Sequence, residues 1–217
     1  ITEALDMDVH FPSYPTVKGY INEEYNSLGL QAYIPKIRTS TAQMEDLTIE
    51  MNNELDALDL SVYVFNRLPK ENPTAAKIGD VKAHMNLTAR ENELDMTISL
   101  DNTDSIRNAG EIQVGALLQQ YKNKPQANIH IQPTEIVLND SIWTINESDI
   151  IYTVAEKKMD IRSFSINTDF QRIAANGIAS TDPNDSIEVE LQNIDLQYLL
   201  GYTEASKAIS VQGPLSG

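Results

Sequence analysis

The chain has 217 residues, with 16 lysines and arginines against 32 aspartates and glutamates, and no cysteine. Its formal charge of -16 repels phosphate backbones and anionic bilayer head groups, which argues against nucleic acid as a partner. The lack of cysteine excludes a disulfide framework, a thiolate metal site and a cysteine nucleophile, and no run of 18 apolar residues is present to cross a bilayer as a helix. The opening Ile1-Thr2-Glu3-Ala4 has neither a basic n-region nor an apolar h-region, so an export signal, if the protein uses one, is expected outside this sequence.

Along the chain the dominant pattern is alternation of apolar and polar residues, the period of a strand with one dry and one wet face. Leu47, Ile49 and Met51 begin it. Leu58, Leu60, Val62 and Val64 then alternate with Asp59, Ser61 and Tyr63. Val81, Ala83, Met85 and Leu87 follow, and Leu94, Met96, Ile98 and Leu100 alternate with Asp95, Thr97 and Ser99. Turn-forming residues separate the runs at Arg90-Glu91-Asn92-Glu93, Asp101-Asn102-Thr103-Asp104, Asn139-Asp140, Asn176-Gly177 and Asp182-Pro183-Asn184-Asp185. Loops this short predict consecutive antiparallel neighbours.

Further on, Ile129 and Ile131 flank His130, Ser141 to Ile145 reads as a strand carrying the only tryptophan, Trp143, and Ile187, Val189 and Leu191 alternate with Glu188 and Glu190. Between Ile161 and Phe164 the apolar parity changes, as a β-bulge would require. Two short helices are expected, over Gly115 to Tyr121 and over Asn193 to Leu200, the latter capped by Asn193 or Asp195 and ended by Gly201. Asp104-Ser105-Ile106 and Asp185-Ser186-Ile187 stand 81 positions apart with similar surroundings, which suggests an internal repeat. The expected fold is therefore all-β: one repetitive region over 1–217, subdivided near 120–135, forming an elongated antiparallel sheet. Ile209 to Gly217 reads as a further strand, so a longer parent protein is expected.

No G-x-S-x-G, P-loop, G-x-G-x-x-G or H-E-x-x-H motif occurs, and His10, His84 and His130 lie far apart without carboxylates at ligand spacing. The reading is of a protein that is not an enzyme and needs no metal or cofactor. Asp182-Pro183-Asn184-Asp185-Ser186 lacks the spacing of a calcium loop and reads as a hairpin turn. Asp-Ser-Ile recurs at Asp104, Asp140 and Asp185, each time at a turn. It is similar to an O-glycosylation sequon of some envelope bacteria, which would place glycan on Ser105, Ser141 and Ser186.

The stretches Ile136 to Ile145, Ile150-Ile151-Tyr152, Asp160 to Ile166, Ile173 to Ser180, Asp182-Pro183 and Leu191 to Leu196 together resemble TamB-type translocation and assembly module proteins, of the AsmA-like group of bacterial envelope proteins. Val17 to Ile21 and Ala32 to Pro35 are similar in style. The resemblance implies a periplasmic segment of a parent anchored in the inner membrane, which works with an outer-membrane barrel assembly protein. It also implies a taco- or gutter-shaped sheet whose greasy concave face carries phospholipid acyl chains. Its lining would be Leu58, Leu60, Val62, Val64, Leu94, Met96, Ile98, Leu100, Ile187, Val189 and Leu191. Two alternatives are a structural β scaffold that presents turns to protein partners and a carbohydrate-binding module, the latter disfavoured by an aromatic content of only 6%.

Overall fold

A computed structural model describes residues 10–38, 43–53, 56–67, 80–102, 106–195 and 214–215. Among the described residues the fold is all-β, with neighbouring strands paired antiparallel. The strands are β1 (Thr16–Asn22), β2 (Ser27–Arg38), β3 (Gln43–Asn52), β4 (Ala57–Arg67), β5 (Val81–Arg90), β6 (Glu93–Asn102), β7 (Ala109–Tyr121) and β8 (Lys124–Ile131). They are followed by β9 (Thr134–Leu138), β10 (Ser141–Ile145), β11 (Ser148–Thr153), β12 (Lys158–Asn167), β13 (Arg172–Ala179) and β14 (Ile187–Gln192). These fourteen share one hydrogen-bonded sheet, and β15 (Ile194–Asp195) and β16 (Pro214–Leu215) form a separate two-stranded ribbon. The chain divides into two compact units, residues 1–111 and 112–217, with the division inside β7.

In the first unit β1 to β6 pair strictly in chain order. The hairpin registers place apolar opposite apolar: Leu60 faces Met51 on one side and Leu87 on the other, and Leu87 faces Met96. Since a one-residue slip would send every such side chain to the wrong face, the alternation itself fixes the register. β3 carries a bulge between Glu45 and Thr48, where Asp46 has a φ of 52°. The Tyr33 hydroxyl donates to Asp46 Oδ1 at 2.7 Å and holds the bulged residue outward.

In the second unit the order departs from consecutive pairing. The edge of β8 is taken by β11, and the β9–β10 hairpin pairs with β7 through β9 and with β12 through β10. The length of β12 explains this. Its first half, Lys158 to Arg162, pairs with β11, and its last residues, Ile166 and Asn167, pair with β10. The switch of partner falls at the bulge between Ile161 and Phe164, where Ser163 has a φ of 57°. The polar groups of this junction satisfy one another. Ser148 Oγ donates to the Asn146 carbonyl at 3.0 Å, Asn146 Nδ2 donates to Ser165 Oγ at 2.6 Å, and the Asn146 amide donates to the Ser165 carbonyl at 3.0 Å.

The expected helix over Gly115 to Tyr121 is instead the second half of β7, registered against β8 from Val114↔Ile131 to Tyr121↔Lys124. Eight cross-strand pairs outweigh a local leaning of Ala-Leu-Leu-Gln-Gln toward helix. Ile194 and Asp195, within the other expected helix, form β15, and residues 196–200 lie outside the described residues. The helical element among the described residues is one 3₁₀ turn, Val154–Glu156, closed by Lys157 at a φ of 47°. Asn176-Gly177 is not a turn either: it lies inside β13, where the single Asn176 spans the bulge of β12 and Gly177 adopts a φ of 122°.

Candidate functional site

Cross-strand partners in an antiparallel sheet project to the same face, so the registers determine which side chains share a surface. In the first unit Leu58, Leu60, Val62 and Val64 of β4 lie opposite Ala89, Leu87, Met85 and Ala83 of β5. Those in turn lie opposite Leu94, Met96, Ile98 and Leu100 of β6. Ile49 and Met51 of β3 extend the same face, followed by Leu28, Leu30, Ala32 and Ile34 of β2 and by Val17 and Ile21 of β1. The eight residues of β4 and β6 expected to line an apolar surface are thus brought together, and β5 bridges them. The opposite face carries Asp59, Ser61, Asn86, Thr88, Asp95 and Thr97.

Ile187, Val189 and Leu191 belong to the second unit, where they face Gly177, Ala175 and Ile173 of β13. That face continues to Ile161, Phe164 and Ile166 of β12, and from Ile161 through Ile150 and Ile129 to Ala116 of β7. The bulge makes this possible: without it the parity change between Ile161 and Phe164 would turn half of β12 to the wet side.

What distinguishes both faces is how little of them is buried. The buried apolar residues among those described are Ala32, Ile37, Ala57, Ala109, Ile145 and Ile194, and the largest wholly buried side chain is a serine, Ser148. Leu58, Ile98 and Leu100 are each 37% exposed, and Val189 is 56% exposed. In a closed β-sandwich such residues would interdigitate with a second sheet and be lost to solvent. Here each unit carries a broad apolar surface that water still reaches.

The remaining sequence candidates are scattered. His84 Nε2 lies 3.0 Å from Ser61 Oγ, and its ring meets Tyr63 edge-on, with no carboxylate among its partners in the described residues. His130 stands between Asp149, 2.9 Å from its Nδ1, and Glu147, 3.4 Å from its Nε2. No group of three or more His, Asp or Glu side chains is arranged to hold a metal ion among the described residues. Asp182 closes its turn by accepting from the backbone and side-chain nitrogens of Asn184, both at 2.9 Å, and these donors hold its carboxyl below the usual range. Ser141 and Ser186 are exposed, one directly after the Asn139-Asp140 turn and the other directly before β14; Ser105 lies outside the described residues. Trp143 is half-buried opposite Ile136. No helix among the described residues is long and apolar enough to cross a membrane. Comparison with protein families, with curated proteins and with solved structures yields no match.

Proposed function

We propose that the apolar faces carry phospholipid acyl chains, and that the chain is a periplasmic segment of an envelope protein that moves lipid between membranes and supports outer-membrane assembly. The observation that carries this reading is the incomplete burial of a continuous, evenly apolar surface spread over six consecutive strands. Leu, Ile, Val, Met and Ala line it without a charged group on β4, β5 or β6, and an acyl chain needs nothing more specific. Covering one CH₂ is worth about 0.8 kcal/mol, so a sixteen-carbon chain gains roughly 12 kcal/mol before the entropy of its confinement is subtracted. That margin is enough to draw a tail out of water. The flexible thioethers of Met51, Met85 and Met96 suit a surface along which a chain slides.

The resemblance to TamB-type proteins supports the same reading, with an inner-membrane anchor and an outer-membrane barrel partner belonging to the parent protein. A structural scaffold would use the same strands with its apolar faces covered by protein. Native mass spectrometry of the chain purified from an envelope fraction separates the two. Lipid-mass adducts are expected on the folded protein; a lipid-free spectrum under conditions that retain lipid on a control lipid carrier would overturn the conduit.

A further inference from the structure

The outer edge of β1 is open: among the described residues β1 pairs with β2 and with no other strand. The ladder determines which of its backbone groups face outward. The Asn53 amide donates to the Leu28 carbonyl at 3.1 Å, so Leu28 turns its backbone groups toward β3. These directions alternate along a strand, so Ser27, Gly29, Gln31 and Tyr33 turn theirs toward their β1 partners Asn22, Tyr20, Lys18 and Thr16. Val17, Gly19 and Ile21 therefore present their N–H and C=O groups at the edge, and Val17 and Ile21 are 62% and 84% exposed.

Strand edges are ordinarily guarded by charge, proline or a bulge, because an unguarded edge recruits a further strand. β14, which pairs with β13 alone among the described residues, is guarded by its acids. Paired with a second copy of itself about Val189, it would set Glu188 against Glu190. β1 reads Thr-Val-Lys-Gly-Tyr-Ile-Asn, with one charge, no acid and no proline, and it runs beside β2 without a break in register. In a chain with twice as many acids as bases, two copies can approach along this strand without setting carboxylate against carboxylate.

The strand is also complementary to itself. A two-fold axis through Gly19 pairs β1 with its copy along its whole length, Thr16 opposite Asn22, Val17 opposite Ile21 and Lys18 opposite Tyr20. The outward groups of Val17 then meet those of Ile21, and those of Gly19 meet their own copy, so every edge N–H and C=O finds a partner. On the apolar face the Val17 and Ile21 side chains cover one another. The Tyr20 ring lies back over Gly29 of its own chain, where a Cβ would collide with it, and leaves the edge clear. Pro15, next in the outward alternation, has no N–H and ends the ladder.

We propose that β1 is a homodimerisation edge, joining the first units of two copies by antiparallel β1–β1 pairing about Gly19. The proposal rests on this edge alone and not on the lipid reading. One ladder is smaller than the interface of a tight dimer, so the association is weak and concentration-dependent. Analytical ultracentrifugation of the whole chain should show the 24.2 kDa monomer passing to a dimer between about 10 µM and about 1 mM. Added salt should favour the dimer, because it screens the repulsion between two chains of charge -16. A monomer throughout, an open series of larger species, or a dimer that salt dissociates would each overturn the proposal. Val17→Pro removes an outward donor and none that β2 uses, so it should weaken association about tenfold with far-ultraviolet circular dichroism unchanged. Unaltered association of that folded variant would also overturn it. The chain has no cysteine, so register can be read by disulfide trapping. Val17→Cys and Ile21→Cys chains mixed under oxidation should link to each other, and neither variant should link to itself. A missing mixed disulfide, or equal linkage within either variant alone, would contradict pairing about Gly19.

Discussion

Gly177 shows how one residue holds the second unit in register. Its φ of 122° is closed to ordinary side chains, and a Cβ there would run into the carbonyl oxygen of Ser186, which accepts the Ile178 amide at 2.9 Å. Gly177→Ala should destabilise the chain by about 1–3 kcal/mol, seen as a lower urea midpoint; an unchanged midpoint would show that the β12 bulge can be accommodated otherwise. Glu156 offers a pH test. Its carboxyl is held below its ordinary value in the folded chain, so its contribution is complete above the unfolded value and is lost as pH falls through the folded one. A carbon-detected titration should find Glu156 ionised at a pH where ordinary glutamates are half protonated. Lys124→Gln should return it toward them, because the lysine hydrogen bond is the main cause. Such single-residue environments were only partly legible in the sequence. Asn176-Gly177 reads as a turn because Gly at positive φ serves both turns and bulges, and nothing local separates the two.

At the scale of elements, the hairpins were the most legible part. Asn139-Asp140 connects β9 to β10 with φ of 51° and 61°, the left-handed pair that a two-residue turn needs to match strand twist. Glycine fits the second of these positions better than aspartate does. Asp140→Gly should therefore raise stability by about 0.5 kcal/mol in thermal melts, and a drop of that size would contradict the turn assignment. Lys122 and Asn123 make the same turn between β7 and β8, directly after Gly115 to Tyr121, which reads as a helix because Ala116-Leu117-Leu118 interrupts alternation and hides the strand. The two bulges differ instructively. Phe164 after Ile161 changes parity, and the bulge is where that change puts it. Met44 before Leu47 changes parity in the same way, and the bulge at Asp46 could have been found by the same rule. The non-consecutive pairing of β8 with β11 was not legible, because it depends on the lengths of β7 and β12 and not on any turn.

For the molecule as a whole, alternation identified which residues share a face, and the registers place Leu58 to Val64 with Leu94 to Leu100 as expected. Whether that face is open cannot be read from a pattern that closed sandwiches also carry; exposure in the fold supplies it. Position-dependent tolerance follows. Ile145 is buried at 5% exposure, so Ile145→Asp should cost about 3–5 kcal/mol and disrupt the second unit. Ile98→Asp, at a position 37% exposed, should leave the fold cooperative with a loss of about 1–2 kcal/mol while lipid adducts disappear. Equal losses at the two sites in denaturant melts would mean that the face around Ile98 is a closed core.

The central claim is that lipid occupies one face of the sheet, and photo-crosslinking from neighbouring positions of β6 tests it most directly. A benzoylphenylalanine at Ile98 projects to the apolar face, and one at Thr97 or Ser99 projects to the polar face. In bacterial cells making the protein, crosslinks to phospholipid are expected from position 98 and not from 97 or 99. Equal labelling from both faces, or protein crosslinks alone from position 98, would contradict the account.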